Sequence, residues 1–535
     1  MRVIAKRNRV AIVAGLVLVA LVLRVLRGVQ EPVVNPDTIR FIEQAQAMDA
    51  GGLQEAVRSE VYHPLHAMMG LGVHEVIGRF FADDRAAWLW SMQGVGILCG
   101  AILCAVIYRL ARVMGAPFWA SVGAAALWAV GRRSVSYGPD GISDMLFLLL
   151  FGLSMLTGMR AMRGLHDGGS NFQRWRFALA GALSGLAYWT RPEGLAAALI
   201  LATTMLIVGL PRPYKKQGMR RFKLFSRRRV PLGTALAGSV ILLGATLLVS
   251  TPYMMMIGGV TQKKALVEGE EMREEIMTAG LGAAPVTWRS LNKVTMEVGE
   301  TFGYAGAALL LGAMALKPTF WGRARLRVLT VVWVGLWGSV MFWLLRKAGY
   351  LDGRHTLPLQ LLMYGMLALG LVAWRRPMLA WQGWWRQREG GAVWARLPAW
   401  RKSRAWVGGS VVVIWGVAML PGLVRLVKPT IDDHFYIREA AAWVAAHSET
   451  DAVVCDEQRL VGYYSGRKYA LWQGSPGEPQ MEKVEKAGAE QVILAYVFRP
   501  GLGDVIQERM GVYRAVARFE SKGAERGEVM VIYKK

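Results

Sequence analysis

The chain has 535 residues, of which 54% are hydrophobic and only 19% charged, and its mean hydropathy is +0.29. These proportions exclude an ordinary soluble protein, in which about a quarter of the residues are charged. The net charge of +26 does not mark a nucleic-acid-binding face: from Lys428 onward there are 15 Lys/Arg and 16 Asp/Glu, and the cationic excess lies in short loops between apolar runs.

Eleven apolar segments are long enough to matter: 10–27, 87–108, 118–131, 144–162, 177–190, 195–210, 232–252, 303–316, 328–345, 356–374 and 406–426. The first follows a basic start (Arg2, Lys6, Arg7, Arg9). Arg24-Val25-Leu26-Arg27 stands where a signal peptide would carry small residues, so an uncleaved first helix is expected. With the N-terminus placed inside, the inner segments hold only two acidic residues, Asp167 and Glu389, and the densest basic loop, 212–229, is also inner. One miscounted span would invert every later loop and destroy this asymmetry. The expectation is therefore an all-α polytopic inner-membrane protein of about 11 transmembrane helices with an outer C-terminus.

Three outer segments are large: 28–86, 253–302 and the tail 428–535. Residues 1–427 then form the membrane module and 428–535 an extracytoplasmic α/β domain. In the tail, helical stretches near 435–447 and 478–487 alternate with strand-like runs at 452–455, 491–497 and 528–533. Cys99, Cys104 and Cys455 form no CxxC or disulfide pattern.

The residues that stand out chemically lie in outer loops or at outer helix ends. Asp37, in Asn35-Pro36-Asp37-Thr38, is either a general base for a hydroxyl or the N-cap of the IRFIEQAQAM helix. His63, in His63-Pro64-Leu65 with His66 beyond, is either a ligand or part of a helix start. Asp140 and Asp144 frame the short loop before the fourth helix, where Asp144 is also a natural cap. Arg191 and Glu193, in Thr190-Arg191-Pro192-Glu193-Gly194, sit between two apolar spans, where charges are costly unless paired or functional; the other reading is a hairpin turn with its charges in the headgroups. Arg354 and His355 open the tenth helix, and Arg354 is either the fork suited to phosphate or an arginine snorkelling to the outer interface.

In this order, these motifs resemble the GT-C class of integral-membrane glycosyltransferases. The likeness is to bacterial relatives of dolichyl-phosphate-mannose protein mannosyltransferase and of lipid A aminoarabinose transferase. It rests on Asp37 in the first outer loop, the HPP-like His63-Pro64-Leu65, the run Gly185–Gly194 and the RYLLP-like Arg354-His355-Thr356-Leu357-Pro358, and covers roughly residues 10–375. The resemblance implies a polyprenyl-phosphate sugar donor, an extracytoplasmic acceptor and an inverting displacement. Asp37 would be the base, Arg191 and Arg354 the holders of donor phosphate, and His63, Asp140, Asp144, Glu193 and His355 supporting residues. Some members use a divalent cation, and this sequence leaves that open. Thr38 departs from the family, many of whose members carry a second acidic residue there. A non-catalytic transporter or flippase of lipid-linked sugars is the other reading, and it calls for polar groups near mid-membrane on broken helices.

Overall fold

The structure is a computed structural model that describes residues 2–31, 33–59, 62–164, 173–210, 231–262, 288–302, 307, 310–311, 324–348, 351, 353–370, 435–456, 459–471, 492–498, 514–520 and 529–534. Among these, six helices are long and apolar enough to cross a membrane. They are α1 (Arg2–Gln30, from Asn8), α5 (Asp84–Met114), α8 (Asp144–Gly164), α10 (Leu195–Gly209, extended by the 3-10 turn Pro192–Gly194), α11 (Leu232–Ile257) and α13 (Ala324–Ala348, over Leu326–Leu345). The shorter α6 (Phe118–Val130), α9 (Arg174–Tyr188) and α14 (357–370) coincide with three further expected segments. Of the remaining two, 406–426 lies outside the described residues, as does most of 303–316.

The segment between α1 and α5 folds into α2 (Pro36–Asp49), α3 (Leu53–Ser59) and α4 (Leu65–Ile77). The short α7 (Arg132–Ser136) follows α6, and α12 (Trp288–Phe302) precedes α13. Small residues bring the spans close. At Gly181 and Gly185 a side chain would run into the α11 backbone at Leu242 and Thr246, and Thr246 Oγ1 donates to the Gly181 carbonyl at 3.1 Å. This contact fixes the end of α9, from which the Thr190–Gly194 turn projects.

Arg24 is wholly buried in α1, and its role is structural. Its guanidinium donates to the carbonyls of Ala20 (2.9 Å) and Ser134 (3.1 Å) and lies 6.0 Å from the Trp128 ring centroid. A buried guanidinium is costly unless its donors are met; both Nη atoms are, while Nε has no hydrogen-bond partner among the described residues. Here it joins α7, and the loop after it, to the first helix.

The described part of the tail holds both helices and strands. Helix α15 (Phe435–His447) is followed by β1 (Val453–Asp456), α16 (Leu460–Ser465), β2 (Lys468–Leu471), β3 (Val492–Phe498), β4 (Arg514–Glu520) and β5 (Val529–Lys534). The strands form one sheet in the order β2-β1-β3-β5-β4, with β1 parallel to β2 and β3, and β5 antiparallel to β3 and β4. The expected helix at 478–487 lies outside the described residues. The described part of the tail packs on the segment between α1 and α5 and on the start of α5: Tyr436, Ile437, Leu460 and Tyr463 share one apolar cluster with Val33, Ile39, Phe41 and Trp88. Tyr464 Oη accepts the Val34 N–H at 3.1 Å, Arg459 pairs with Glu43 of α2, and Tyr463 Oη donates to the Arg85 carbonyl at 3.1 Å.

Candidate functional site

The site begins at the N-terminus of α2. Asn35 is the cap: its Oδ1 accepts the Asp37 N–H at 3.0 Å, and Pro36 occupies the first turn, where no N–H is needed. The capping reading of Asp37 is thereby corrected, because the preceding Asn takes that role. The Asp37 carboxylate instead points to two partners. Tyr62 Oη donates to Oδ1 at 2.8 Å, and Arg354 Nη1 lies 3.4 Å from Oδ2. Arg354 comes from 317 positions away, on the 3-10 turn Gly353–Thr356 before α14. The Asp37 and Arg354 side chains are 28% and 22% exposed, so water and solutes reach the pair.

Tyr62 is the residue that sequence reasoning missed. Its only mark is its place directly before His63-Pro64, and a lone loop tyrosine carries no spacing signal. Burial raises the pKa of its phenol, and the adjacent Asp37 charge raises it further, so Tyr62 remains a proton donor across the physiological range. Arg40, one turn along α2, donates to the same phenol at 3.3 Å, and Phe41 packs edge-on to its ring at 5.1 Å.

Thr38 explains the departure from a second acidic residue. It is buried, and its Oγ1 donates to the Asp140 carbonyl at 2.5 Å. A carboxylate has no proton to offer there. The next residue, Gly141, has φ +71°, and a side chain on it would strike Thr38. Its carbonyl is 2.7 Å from His66 Nε2. Asp140 thus enters through its backbone, which ties the loop before α8 to the helix that carries Asp37.

Arg191 does not join Asp37 in any contact described. It pairs with Asp144, the first residue of α8, and lies 3.3 Å from Glu193. The Arg191 and Asp144 side chains are 9% and 2% exposed. The three expected residues therefore form a second, buried cluster. His63 is buried between the Tyr188 and Tyr253 rings, with Nδ1 2.6 Å from the Tyr188 carbonyl, and the Leu65 N–H donates to the Trp189 carbonyl at 3.0 Å. The His63-Pro64-Leu65 segment thus clamps the turn that bears Arg191. His355 is buried, and its carbonyl accepts the Trp337 indole N–H at 2.9 Å. The two clusters are linked through the loop 138–143, which Thr38 and His66 hold at one end and Asp144 continues at the other.

Among the described residues, no group of three or more His, Cys, Asp or Glu side chains is placed to hold a metal ion. Around Asp37, the two carboxylate oxygens face a phenol and a guanidinium. That donor set does not fit a divalent cation.

His66 gives the first test of this framework. Burial lowers its pKa to about 4 from the usual 6.5, while its bond to Gly141 opposes the shift. Its Nδ1 has no hydrogen-bond partner among the described residues, so a second proton there is unmet. Since the folded value lies below the unfolded one, the unfolded chain binds more protons between pH 6.5 and 4, and stability falls as pH drops through that window. The loss is roughly 3 kcal/mol at most. Thermal unfolding of the detergent-purified protein across this range is expected to show it, with a shallower acid dependence in His66→Gln.

No family model matches the chain, and no curated protein is significantly similar to it in sequence. Solved structures are similar in fold. ArnT from Cupriavidus metallidurans bound to undecaprenyl phosphate is 14% identical, with a TM-score of 0.56, over 97% of both chains. The oligosaccharyltransferase AglB from Archaeoglobus fulgidus, in complex with an inhibitory peptide and a dolichol-phosphate, is 12% identical with a TM-score of 0.54. That match covers 92% of this chain and 69% of AglB. The A. fulgidus oligosaccharyltransferase in complex with Zn and sulfate matches with a TM-score of 0.54 at 12% identity, over 90% of this chain and 67% of the other. With its membrane helices in this arrangement and an α/β tail behind them, the chain has the fold of the GT-C class of membrane glycosyltransferases.

Proposed function

We propose that this protein is an inverting membrane glycosyltransferase that moves a sugar from a polyprenyl-phosphate donor to an acceptor hydroxyl or amine outside the cytoplasm. The observation that carries the reading is the Asp37–Arg354 contact. Two motifs more than three hundred residues apart bring a carboxylate and a guanidinium together where solvent reaches both. A partly exposed pair contributes at most about 1 kcal/mol to stability, so holding the fold is a poor account of it. The bound polyprenyl phosphates of AglB and ArnT support the same class of donor.

In this scheme Asp37 takes the acceptor's proton as the acceptor oxygen or nitrogen bonds to the sugar's anomeric carbon. The bond from that carbon to the phosphate oxygen breaks, and its electron pair leaves on polyprenyl phosphate. Arg354 offsets the charge on that departing anion. Tyr62 orients the base through Oδ1. We assign Arg191 to fixing the 188–194 turn rather than to the phosphate, since Asp144 and Glu193 already engage it. The transporter reading draws less support, because Asp37 stands in the first turn of the short helix α2 and Arg354 on the 3-10 turn before α14, neither of them in the middle of a broken span.

The test is Tyr62→Phe, which removes one hydrogen bond to the base and leaves the ring. With polyprenyl-phosphate-linked sugar as substrate, kcat is expected to fall about tenfold, the worth of one hydrogen bond to a charged group, while the donor KM changes little. A matched fall in folded protein, with kcat unchanged, would contradict the role. We further propose that the N-terminus is cytoplasmic and that the 428–535 tail is an extracytoplasmic domain that shapes the acceptor side of the site. Reporter fusions at Lys216 and Lys468 are expected to report opposite compartments, and the same compartment for both would overturn this topology.

A further inference from the structure

The two partners of Asp37 differ in kind. Tyr62 meets Oδ1 at 2.8 Å, a normal length for an O–H donor. Arg354 stands off at 3.4 Å, well beyond the ~2.7–2.9 Å of a strong charge-assisted bond, and both members of that pair are partly exposed. Of the two arginines that sequence reasoning assigned to phosphate, Arg191 is committed: it sits in a buried pair with Asp144, and removing it would strand a carboxylate. The Arg354–Asp37 contact is the one that can be exchanged at little cost.

We propose that donor phosphate and Asp37 compete for Arg354, so that donor binding itself uncovers the base. The guanidinium lies against Oδ2, the oxygen that an acceptor proton would have to reach. A phosphate offers the same guanidinium two oxygens and more negative charge. When Arg354 turns to it, Oδ2 is bared while Tyr62 keeps Oδ1 in place. The base is then available only when a donor is present. This inference rests on the reading of Asp37 and Arg354 given above.

The competing arrangement is a bridge, in which Asp37 holds Arg354 in position for phosphate. The two differ in sign. Undecaprenyl phosphate is the probe, and its affinity for the purified full-length chain in detergent is the readout. Under competition, Asp37→Asn binds the probe about two- to fivefold more tightly, the worth of a partly exposed ion pair. Arg354→Gln binds it more weakly, and adding Asp37→Asn to Arg354→Gln recovers little or nothing. Arg354→Lys, which keeps the charge, carries the same comparison should Arg354→Gln reduce the yield of folded protein. Weaker binding by Asp37→Asn would overturn the exchange in favour of the bridge. An equal gain in both backgrounds would overturn it in favour of plain repulsion between carboxylate and phosphate. Either result leaves the phosphate role of Arg354 standing. If the probe does not bind the wild-type chain, the site reading falls and the exchange with it.

Discussion

Asp37→Asn is expected to lower turnover by about 10²–10⁴-fold, the range typical of a lost general base, in a protein that still inserts, folds and binds donor. The substitution keeps the size of the side chain. Its amide oxygen can still accept from Tyr62 at the position of Oδ1. The N-cap is untouched, because Asn35 supplies it. What disappears is the charge on Oδ2 and the capacity to take a proton. Steady-state rates with polyprenyl-phosphate-linked sugar, alongside the yield of folded protein, measure this. Activity within a few-fold of wild type, at normal yield, would remove Asp37 from the chemistry.

Arg191→Ala is expected to have the largest effect on stability. It leaves the Asp144 carboxylate, 2% exposed at the start of α8, without its guanidinium. Breaking a buried pair from one side costs about 3–5 kcal/mol, whereas replacing both members by apolar groups is often neutral. Arg191→Ala should therefore unfold at markedly lower temperature in detergent and accumulate poorly in membranes. Arg191→Met combined with Asp144→Leu should recover most of the loss and keep undecaprenyl phosphate affinity within a few-fold of wild type. A folded double variant that no longer binds undecaprenyl phosphate would return Arg191 to the phosphate site. Arg354→Gln makes the contrast, since its partly exposed pair with Asp37 adds little to stability.

Much of this arrangement was legible in the sequence because charge is conspicuous among apolar spans. Asp37, Arg191 and Arg354 stood out for that reason, and the topology assembles two of them into one contact. Pairing was not legible. Nothing in the spacing says that Arg191 belongs to Asp144, 47 residues earlier, rather than to a ligand. Tyr62 was invisible because its importance comes from where α2 and the segment before α4 meet, not from its neighbours in the chain. The Asn35 cap was available in principle, since Asn-Pro is a common opening for a helix, but an acidic residue two places on invites the same reading. In the tail, β1, β3 and β5 announced themselves as apolar runs. β2, only Lys468–Leu471, is too short to show a period. β4 carries Arg514, Arg518 and Glu520 on a largely exposed strand, so it lacks the apolar run that marks its neighbour β5.

The most direct measurement compares lipid-linked sugars and their glycosylated products in membranes from cells that carry the wild-type chain, the Asp37→Asn chain or no chain. A transferase with Asp37 as its base predicts that one polyprenyl-phosphate-linked sugar accumulates, and one extracytoplasmic product is lost, equally in the cells without the chain and in those with Asp37→Asn. Normal consumption of every lipid-linked sugar in the Asp37→Asn cells, with the product intact, would contradict it.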